Sequence, residues 1–69
     1  MSNYKPHEQR VVDEAKELNT KLSALRAFFT SETFDTLNPE DQALLMMQEM
    51  AMQNYLSILH RRIENFDHE

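Results

Sequence analysis

The sequence predicts an all-α protein, in which an antiparallel helical hairpin with a short N-terminal segment assembles into a homo-oligomer. Three observations lead to this prediction. The 69 residues include no Gly and no Cys, so tight hairpin turns lack their preferred residue and disulfides are excluded. Two long stretches carry apolar residues at helical spacing. One domain of this length buries too little surface to be stable alone, which favours association of several copies.

The first predicted helix covers residues 6–29. Pro6 suits its first turn, because the N–H that proline lacks has no helical partner there. The apolar residues that follow are spaced alternately four and three apart, as on the contact face of a helix. They are Val11, Ala15, Leu18, Leu22, Leu25 and Phe29. Residues 30–38 form the predicted turn, in which Phe34 and Leu37 pack over the end of the core.

The second predicted helix covers residues 39–66 and begins with the most specific local signal. Asn38 is a capping residue, Pro39 takes the first helical position, and Glu40 and Asp41 follow at the positive end of the dipole. This helix carries two apolar stripes. The first contains Leu45, Met52, Leu56, Leu59, Ile63 and Phe66, and the second contains Leu44, Met47, Ala51, Tyr55 and Ile58. Because each stripe needs a neighbour, we expect the first helix to cover one and a second chain the other.

Methionines are concentrated in the second helix. The run of residues 46–52 holds four of the five, and we expect this face to form the core of the oligomer. The alternative is that the Met-rich face docks a host protein, which would make the chain a small adaptor. A structural phage or toxin–antitoxin component is a third interpretation. Residues 67–69 are predicted to fray.

Charge and hydropathy exclude several classes of function. Seven Lys and Arg stand against twelve Asp and Glu, which gives a net charge of −5 at pH 7. This balance argues against binding to long nucleic acid or to a membrane surface. No apolar run approaches the roughly 20 residues that a membrane span requires. Residues 1–5 lack the apolar region of a signal peptide, so we expect a cytoplasmic protein.

An antiparallel hairpin brings the start of the first helix beside the end of the second. The result is one basic end, where a helix N-terminus and an aromatic ring suit a phosphate and a base. Its members are Tyr4, Lys5, His7, Arg10, His60, Arg61 and Arg62. Alternatively, Arg61 and Arg62 only complement the helix dipole. Lys16, about two turns further along, either pairs with Glu14 or Glu17 or reaches a ligand between copies.

Catalysis and metal binding are not expected. Ser2, Ser31 and Ser57 lack a neighbouring His–Asp pair, and Gly-rich phosphate loops are absent. The His residues are few and widely spaced, and His60 with Glu64, four residues later, offers at most a two-ligand face. We therefore predict no enzyme, no metal and no cofactor.

Two segments carry a resemblance to a known family. Tyr4-Lys5-Pro6 followed by Glu8-Gln9 opens the first helix, and Asp41-Gln42-Ala43-Leu44 opens the second, which continues through Gln48, Ala51, Met52 and Asn54. This layout resembles the small phage proteins of the anti-CBASS and anti-Thoeris helical-hairpin group, the nucleotide sponges. The resemblance implies a homohexamer without catalytic activity. Such a protein would sequester cyclic oligonucleotide immune signals in the cytoplasm of an infected bacterial host.

The same resemblance implies roles for individual residues. Tyr4 matches an N-terminal tyrosine that stacks on a base of a cyclic dinucleotide, and Lys16 is the best match for the basic residue that holds phosphate. A separate site for cyclic trinucleotides would use Lys5 together with Arg61 or Arg62. The ligand stays open between cyclic dinucleotides, cyclic trinucleotides and linear or cyclic ADP-ribose signals.

Overall fold

The structure is a computed structural model that describes residues 4–66, so the predicted fraying of residues 67–69 lies outside the described residues, as does His68. It contains three helices: α1 (Pro6–Phe28), α2 (Glu32–Thr36) and α3 (Pro39–Asn65). α1 and α3 pack side by side in opposite directions, since Tyr4 before α1 contacts Phe66 after α3. The predicted all-helical class is confirmed. The hairpin is long and thin, measuring 50 × 19 × 14 Å.

Side chains satisfy the backbone groups at both ends of α1. The backbone N–H of Lys5 donates to Glu8 Oε1 at 2.9 Å, which places a carboxylate at the positive end of the helix. The N–H of Phe29 is shared between two carbonyls, both at 3.2 Å, so the last turn tightens and Phe29 becomes the cap residue. The hydroxyls of Thr30 and Ser31 then donate to carbonyls of the last turn, at 2.9 and 2.7 Å.

α2 is the short turn that closes the hairpin. The Ser31 hydroxyl caps it by accepting from the Phe34 N–H at 3.2 Å. The Phe34 ring stands edge-on to Phe28 and Phe29, with centroids 6.0 and 5.2 Å apart. Gln42 Nε2 donates to the Phe34 carbonyl at 2.9 Å, which ties α2 to the first turns of α3. α2 is therefore held to the end of α1 by aromatic packing and to the start of α3 by a hydrogen bond.

α3 begins where the sequence predicts. Asn38 Oδ1 accepts from the N–H of Asp41 at 2.8 Å, and Pro39 is the first helical residue. The Asn38 amide also donates to the Asp41 carboxylate at 3.1 Å. A capped N-terminus with two acidic residues in its first turn defines this boundary locally, without help from tertiary contacts.

The core is a single narrow seam between α1 and α3. Its buried residues are Val11, Ala15, Leu22, Leu56 and Leu59, and the partly buried Leu18, Met52, Ile63 and Phe66 pack against them. One polar contact extends the seam toward the turn: Arg26 donates to Glu49 at 2.8 Å and to Gln53 at 2.7 Å. Only one face of α3 is used in this packing.

The second predicted stripe of α3 is exposed. We call Leu44, Met47, Ala51, Tyr55 and Ile58 the α3 stripe. The fractional exposure is 53% for Leu44, 58% for Met47, 41% for Tyr55 and 49% for Ile58, and Ala51 is also exposed. α1 therefore covers the first stripe, as the pattern predicts, and leaves the second exposed.

The expectation of a single Met-rich face is corrected by the structure. Met52 packs on the core, and Met47 belongs to the α3 stripe. Met46 and Met50 are 55% and 62% exposed at other positions around the helix. A helix turns by about 100° per residue, so Met46, Met47 and Met50 fall within an arc of about 100°, whereas Met52 lies away from them on the side that faces α1.

Candidate ligand grooves

Two grooves run along opposite sides of the seam between α1 and α3. We name them by the residue that marks each one. The Tyr55 groove has a volume of about 430 Å³ and is lined by Arg10, Asp13, Glu14, Glu17, Leu18, Lys21 and Tyr55. The Lys16 groove has a volume of about 260 Å³ and is lined by Val12, Ala15, Lys16, Asn19, His60 and Ile63.

The Tyr55 groove is organised by a hydrogen bond across the two helices. The Tyr55 hydroxyl donates to the Glu14 carboxylate. This bond, and to a lesser extent desolvation and the negative charge of Glu14, raises the pKa of the Tyr55 phenol above its ordinary value, while the positive charge of Arg62 lowers it. Arg62 thus acts on the same side of the hairpin as Tyr55.

The charges lining the Tyr55 groove do not favour an anion. Arg10 and Lys21 are its two cations, and Asp13, Glu14 and Glu17 are its three acids. A phosphate entering this groove on a single chain would meet more negative than positive charge. The groove is therefore a mixed-charge surface with an aromatic wall rather than a preformed phosphate site.

The Lys16 groove has the opposite character. Its lining includes one Lys, one neutral amide from Asn19 and the imidazole of His60, and the lining residues include no acid. Val12, Ala15 and Ile63 give it an aliphatic floor. This combination offers a cation to a phosphate, hydrogen-bonding groups to a base edge and an apolar surface to a base face.

The structure divides the predicted basic end. Tyr4 is half-buried and stands edge-on to Phe66, with ring centroids 6.0 Å apart. Lys5 and His7 are exposed at the start of α1, where Glu8 already supplies a negative charge to the helix terminus. The anion site expected from free N–H groups at this terminus thus has a carboxylate of its own chain beside it.

The remaining predicted residues lie on different sides of the hairpin. Arg10 lines the Tyr55 groove and Lys16 lines the Lys16 groove. Arg61 and Arg62 are exposed in the last turns of α3, about 100° apart around the helix. One chain therefore presents these cations in several directions instead of converging them on one point.

Two groups beside Lys16 were not among the predicted ligand-binding residues. From the sequence, His60 is predicted only as a member of the basic end, and no role is predicted for Asn19. The signal for both was available in the antiparallel pairing. Once the two apolar stripes are paired, positions near 16 on α1 lie opposite positions near 60 on α3, and Asn19 is one turn from Lys16 on the same side.

The part of the chain that the structure describes has neither a metal-binding cluster nor a membrane-spanning helix. Residues 4–66 contain no group of three or more His, Asp or Glu side chains that could hold a metal ion. Within the same range, no helix has the length and apolar character needed to cross a bilayer.

Comparison with known proteins identifies the family. Residues 5–65, which span both long helices and both grooves, match the Sequestin family. The chain belongs to the Sequestin family. It is also 35% identical over 60 residues to the uncharacterized 7.5 kDa protein in the denB-rIIB intergenic region of Enterobacteria phage T4, an alignment that covers 87% of this chain and 94% of that protein. No solved structure gives a significant match. The resemblance to phage sponge proteins is thereby confirmed at the level of the family.

Proposed function

We propose that this chain is a non-catalytic phage counter-defence protein that binds and sequesters cyclic oligonucleotide immune signals: cyclic dinucleotides, cyclic trinucleotides or both. It acts as a homo-oligomer, a hexamer by the resemblance, in the cytoplasm of the infected bacterium. Membership of the Sequestin family and the similarity to a phage T4 protein support sequestration by a phage product.

The observation that carries the ligand class is the composition of the Lys16 groove. A cyclic oligonucleotide combines phosphates with flat bases, and this groove combines a cation with an aliphatic floor and an amide. In contrast, the acids of the Tyr55 groove repel phosphate. The net charge of −5 still disfavours a long polyanion, so a small ligand held at one local cation is the better match.

The size of the Lys16 groove supports an oligomer. Pockets for small molecules measure about 300–1,000 Å³, whereas this groove measures about 260 Å³. One chain therefore accommodates one nucleotide unit of the ligand, and a second chain must enclose the rest. Symmetry would also gather the scattered cations, since each copy repeats them around the axis. In this proposal Tyr4 stacks on a base, and Lys5, His7, Arg10 and either Arg61 or Arg62 surround the phosphates with Lys16.

The test is a binding measurement with a matched control. The ligands are cyclic dinucleotides, cyclic trinucleotides and ADP-ribose isomers, titrated by calorimetry into the wild-type chain. Lys16→Ala should weaken the binding of the cognate ligand by roughly tenfold or more, because a charge-assisted hydrogen bond to phosphate is lost. Lys21→Ala removes the same charge from the other groove and should leave affinity within about twofold, a small change for an exposed charge. Equal affinity for wild type and Lys16→Ala would contradict the proposed site.

Sequestration and catalysis can be distinguished by the ligand that is recovered afterwards, because only catalysis converts it. After incubation the protein is heat-denatured and the supernatant is analysed by chromatography. Intact ligand, recovered in proportion to the protein added, is the result expected of a sponge. Converted ligand in excess of the protein would show turnover and overturn the non-catalytic proposal.

A second candidate function has an observation in its favour. The exposed α3 stripe is an apolar surface of the kind that docks a partner helix, as an adaptor would require. This candidate predicts a dimer or monomer that binds none of the nucleotides and whose stripe is protected from hydrogen exchange only when host protein is present. A closed homo-oligomer that binds a nucleotide would exclude it.

A further inference from the structure

The α3 stripe has an internal symmetry that nothing in the single-chain fold explains. Leu44 lies seven residues before Ala51, and Ile58 lies seven after it. Met47 lies four residues before Ala51, and Tyr55 lies four after it. All five positions are exposed and share one side of α3, so the apolar surface is symmetric about its smallest member.

The same symmetry extends to the charges at the two ends of α3. Glu40 lies four residues before Leu44, and Arg62 lies four residues after Ile58, so both continue the stripe along the helix surface. Each is eleven residues from Ala51, and both are exposed. An acid at one end of the stripe is thus matched by a base at the same distance beyond the other end.

We propose that two copies of the chain pack antiparallel through the α3 stripe, about a two-fold axis at Ala51. In this arrangement Leu44 contacts the partner's Ile58, and Met47 contacts the partner's Tyr55. Glu40 pairs with the partner's Arg62, and the axis repeats every contact twice. The inference deepens the self-association in the proposed function and does not depend on which ligand is bound.

The charges at the ends of the stripe favour the antiparallel dimer over a parallel dimer. A parallel dimer would place Glu40 beside Glu40 and Arg62 beside Arg62, which is repulsive at both ends. An antiparallel dimer places opposite charges at both ends. A foreign helix would need complementary residues but would impose no symmetry on the stripe. The small side chain of Ala51 also allows the two α3 helices to approach closely where they cross.

The partner also completes a groove of the first chain. Tyr55 belongs both to the α3 stripe and to the wall of the Tyr55 groove. The partner's Met47 therefore covers the outer face of the Tyr55 ring, and its α3 forms a third wall for a groove that a single chain leaves open. The Lys16 groove lies on the other side of the seam and stays outside this contact.

The first experiment reverses one charge on each of two chains. A chain with Glu40→Arg has two bases at the ends of its stripe, and a chain with Arg62→Glu has two acids. Alone, each should dimerise roughly tenfold more weakly than wild type, because two like-charge contacts form per dimer. Mixed in equal amounts, they should associate with each other at close to wild-type affinity, measured by sedimentation equilibrium.

The mixture separates pairing from helix stability. Either substitution also disturbs the dipole of its own helix, but the chains in the mixture carry the same substitutions as the chains alone. The control mixes Arg62→Glu with Asp35→Arg, an equal charge change on α2 that leaves the stripe unaltered. One end of this mixed dimer stays repulsive, so its association should remain weaker than that of wild type. If the Glu40→Arg and Arg62→Glu chains associate no better together than apart, the proposed pairing is wrong.

The second experiment locates the axis. The chain has no cysteine, so a single introduced thiol reports only on itself. Ala51→Cys at the axis should form a disulfide between two copies under mild oxidation, since the two Cα atoms approach within the reach of about 7 Å. Ala24→Cys, the same substitution at an exposed position of α1, is the control. Equal crosslinking of the two variants would overturn the proposed axis, whether or not the chain binds a nucleotide.

Discussion

At the scale of single residues, the bond from Tyr55 to Glu14 is the most informative contact. It joins α1 to α3 across 41 positions of sequence. It exists only while the phenol keeps its proton, because an ionised phenolate would face the Glu14 carboxylate. Tyr55 is also the one residue that belongs to both the α3 stripe and a groove, so its state reports on both.

The raised pKa of Tyr55 gives a prediction for stability at alkaline pH. A phenol whose pKa in the folded chain exceeds its value in the unfolded chain contributes stability that is fully present below the unfolded pKa. That contribution is lost as pH rises through the folded pKa. We therefore expect the melting temperature of a Tyr4→Phe chain to fall above pH 10, together with the ultraviolet signal of Tyr55 ionisation.

The matched variant is Glu14→Gln in the same Tyr4→Phe background. Glutamine keeps an acceptor oxygen but has no charge, so the apparent pKa of Tyr55 should move down toward its ordinary value of 10.0. Ultraviolet titration measures this shift directly. A titration curve that does not change on Glu14→Gln would show that the bond does not persist in solution.

At the scale of elements, the N-terminus of α3 was the best predicted feature and gives the second prediction. The Asn38 side chain accepts the Asp41 N–H at 2.8 Å. Asn38→Ala leaves this N–H without its partner and should lower the free energy of unfolding by about 1 kcal/mol, as for other helix caps. Asn38→Asp keeps an acceptor and should stay close to wild type. Urea unfolding monitored by circular dichroism measures both, and equal losses in the two variants would contradict capping as the cause.

Local sequence patterns predict the features of a single helix but not the contacts between two helices. The cap at Asn38 and the two stripes of α3 depend on residues within a few positions of one another, and the sequence contains that information. The contacts of Arg26 with Glu49 and Gln53 depend on the register between two helices. That register is a property of the packed pair of helices, and no local pattern in the sequence specifies it.

The spread of the predicted ligand-binding residues around the hairpin has a similar cause. Arg10 and Lys16 are six residues apart, which is about 240° around a helix, so they lie on opposite sides of the seam. Two residues near the same end of the hairpin can still lie on opposite sides of it, so closeness to one end does not bring their side chains together. The position of a residue depends on its angle around the helix axis as well as on its distance along that axis. Together the two place Lys16 on the same side of the hairpin as His60.

At the scale of the whole molecule, the buried core is small in comparison with the apolar surface that stays exposed. Five residues are buried in the described chain, and Leu22 and Leu59 are the two that are almost fully enclosed. Meanwhile several large apolar side chains of α3 are about half exposed. Chains of this size are marginal when they fold alone. Association through the α3 stripe would therefore supply part of the folding free energy.

This coupling predicts a melting temperature that depends on protein concentration. For a dimer that unfolds to separate chains, each tenfold rise in concentration adds about 1.4 kcal/mol to the free energy of unfolding. The melting temperature should then rise by roughly 5 °C per tenfold step, given the unfolding entropy of two chains. Calorimetry across a hundredfold range of concentration measures the slope.

Substitutions at two adjacent residues distinguish the contribution of the core to the melting temperature from that of the contact between copies. Leu59 is 0% exposed, whereas its neighbour Ile58 is 49% exposed on the α3 stripe. Leu59→Ala should cost about 2–5 kcal/mol through the cavity it creates, and so lower the melting temperature at every concentration. Ile58→Ala should instead lower it most at high concentration and flatten its dependence on concentration, because it weakens only the contact between copies. If Ile58→Ala leaves both the melting temperature and its slope unchanged, then the hairpin folds without the stripe, and its stability must come from the seam alone.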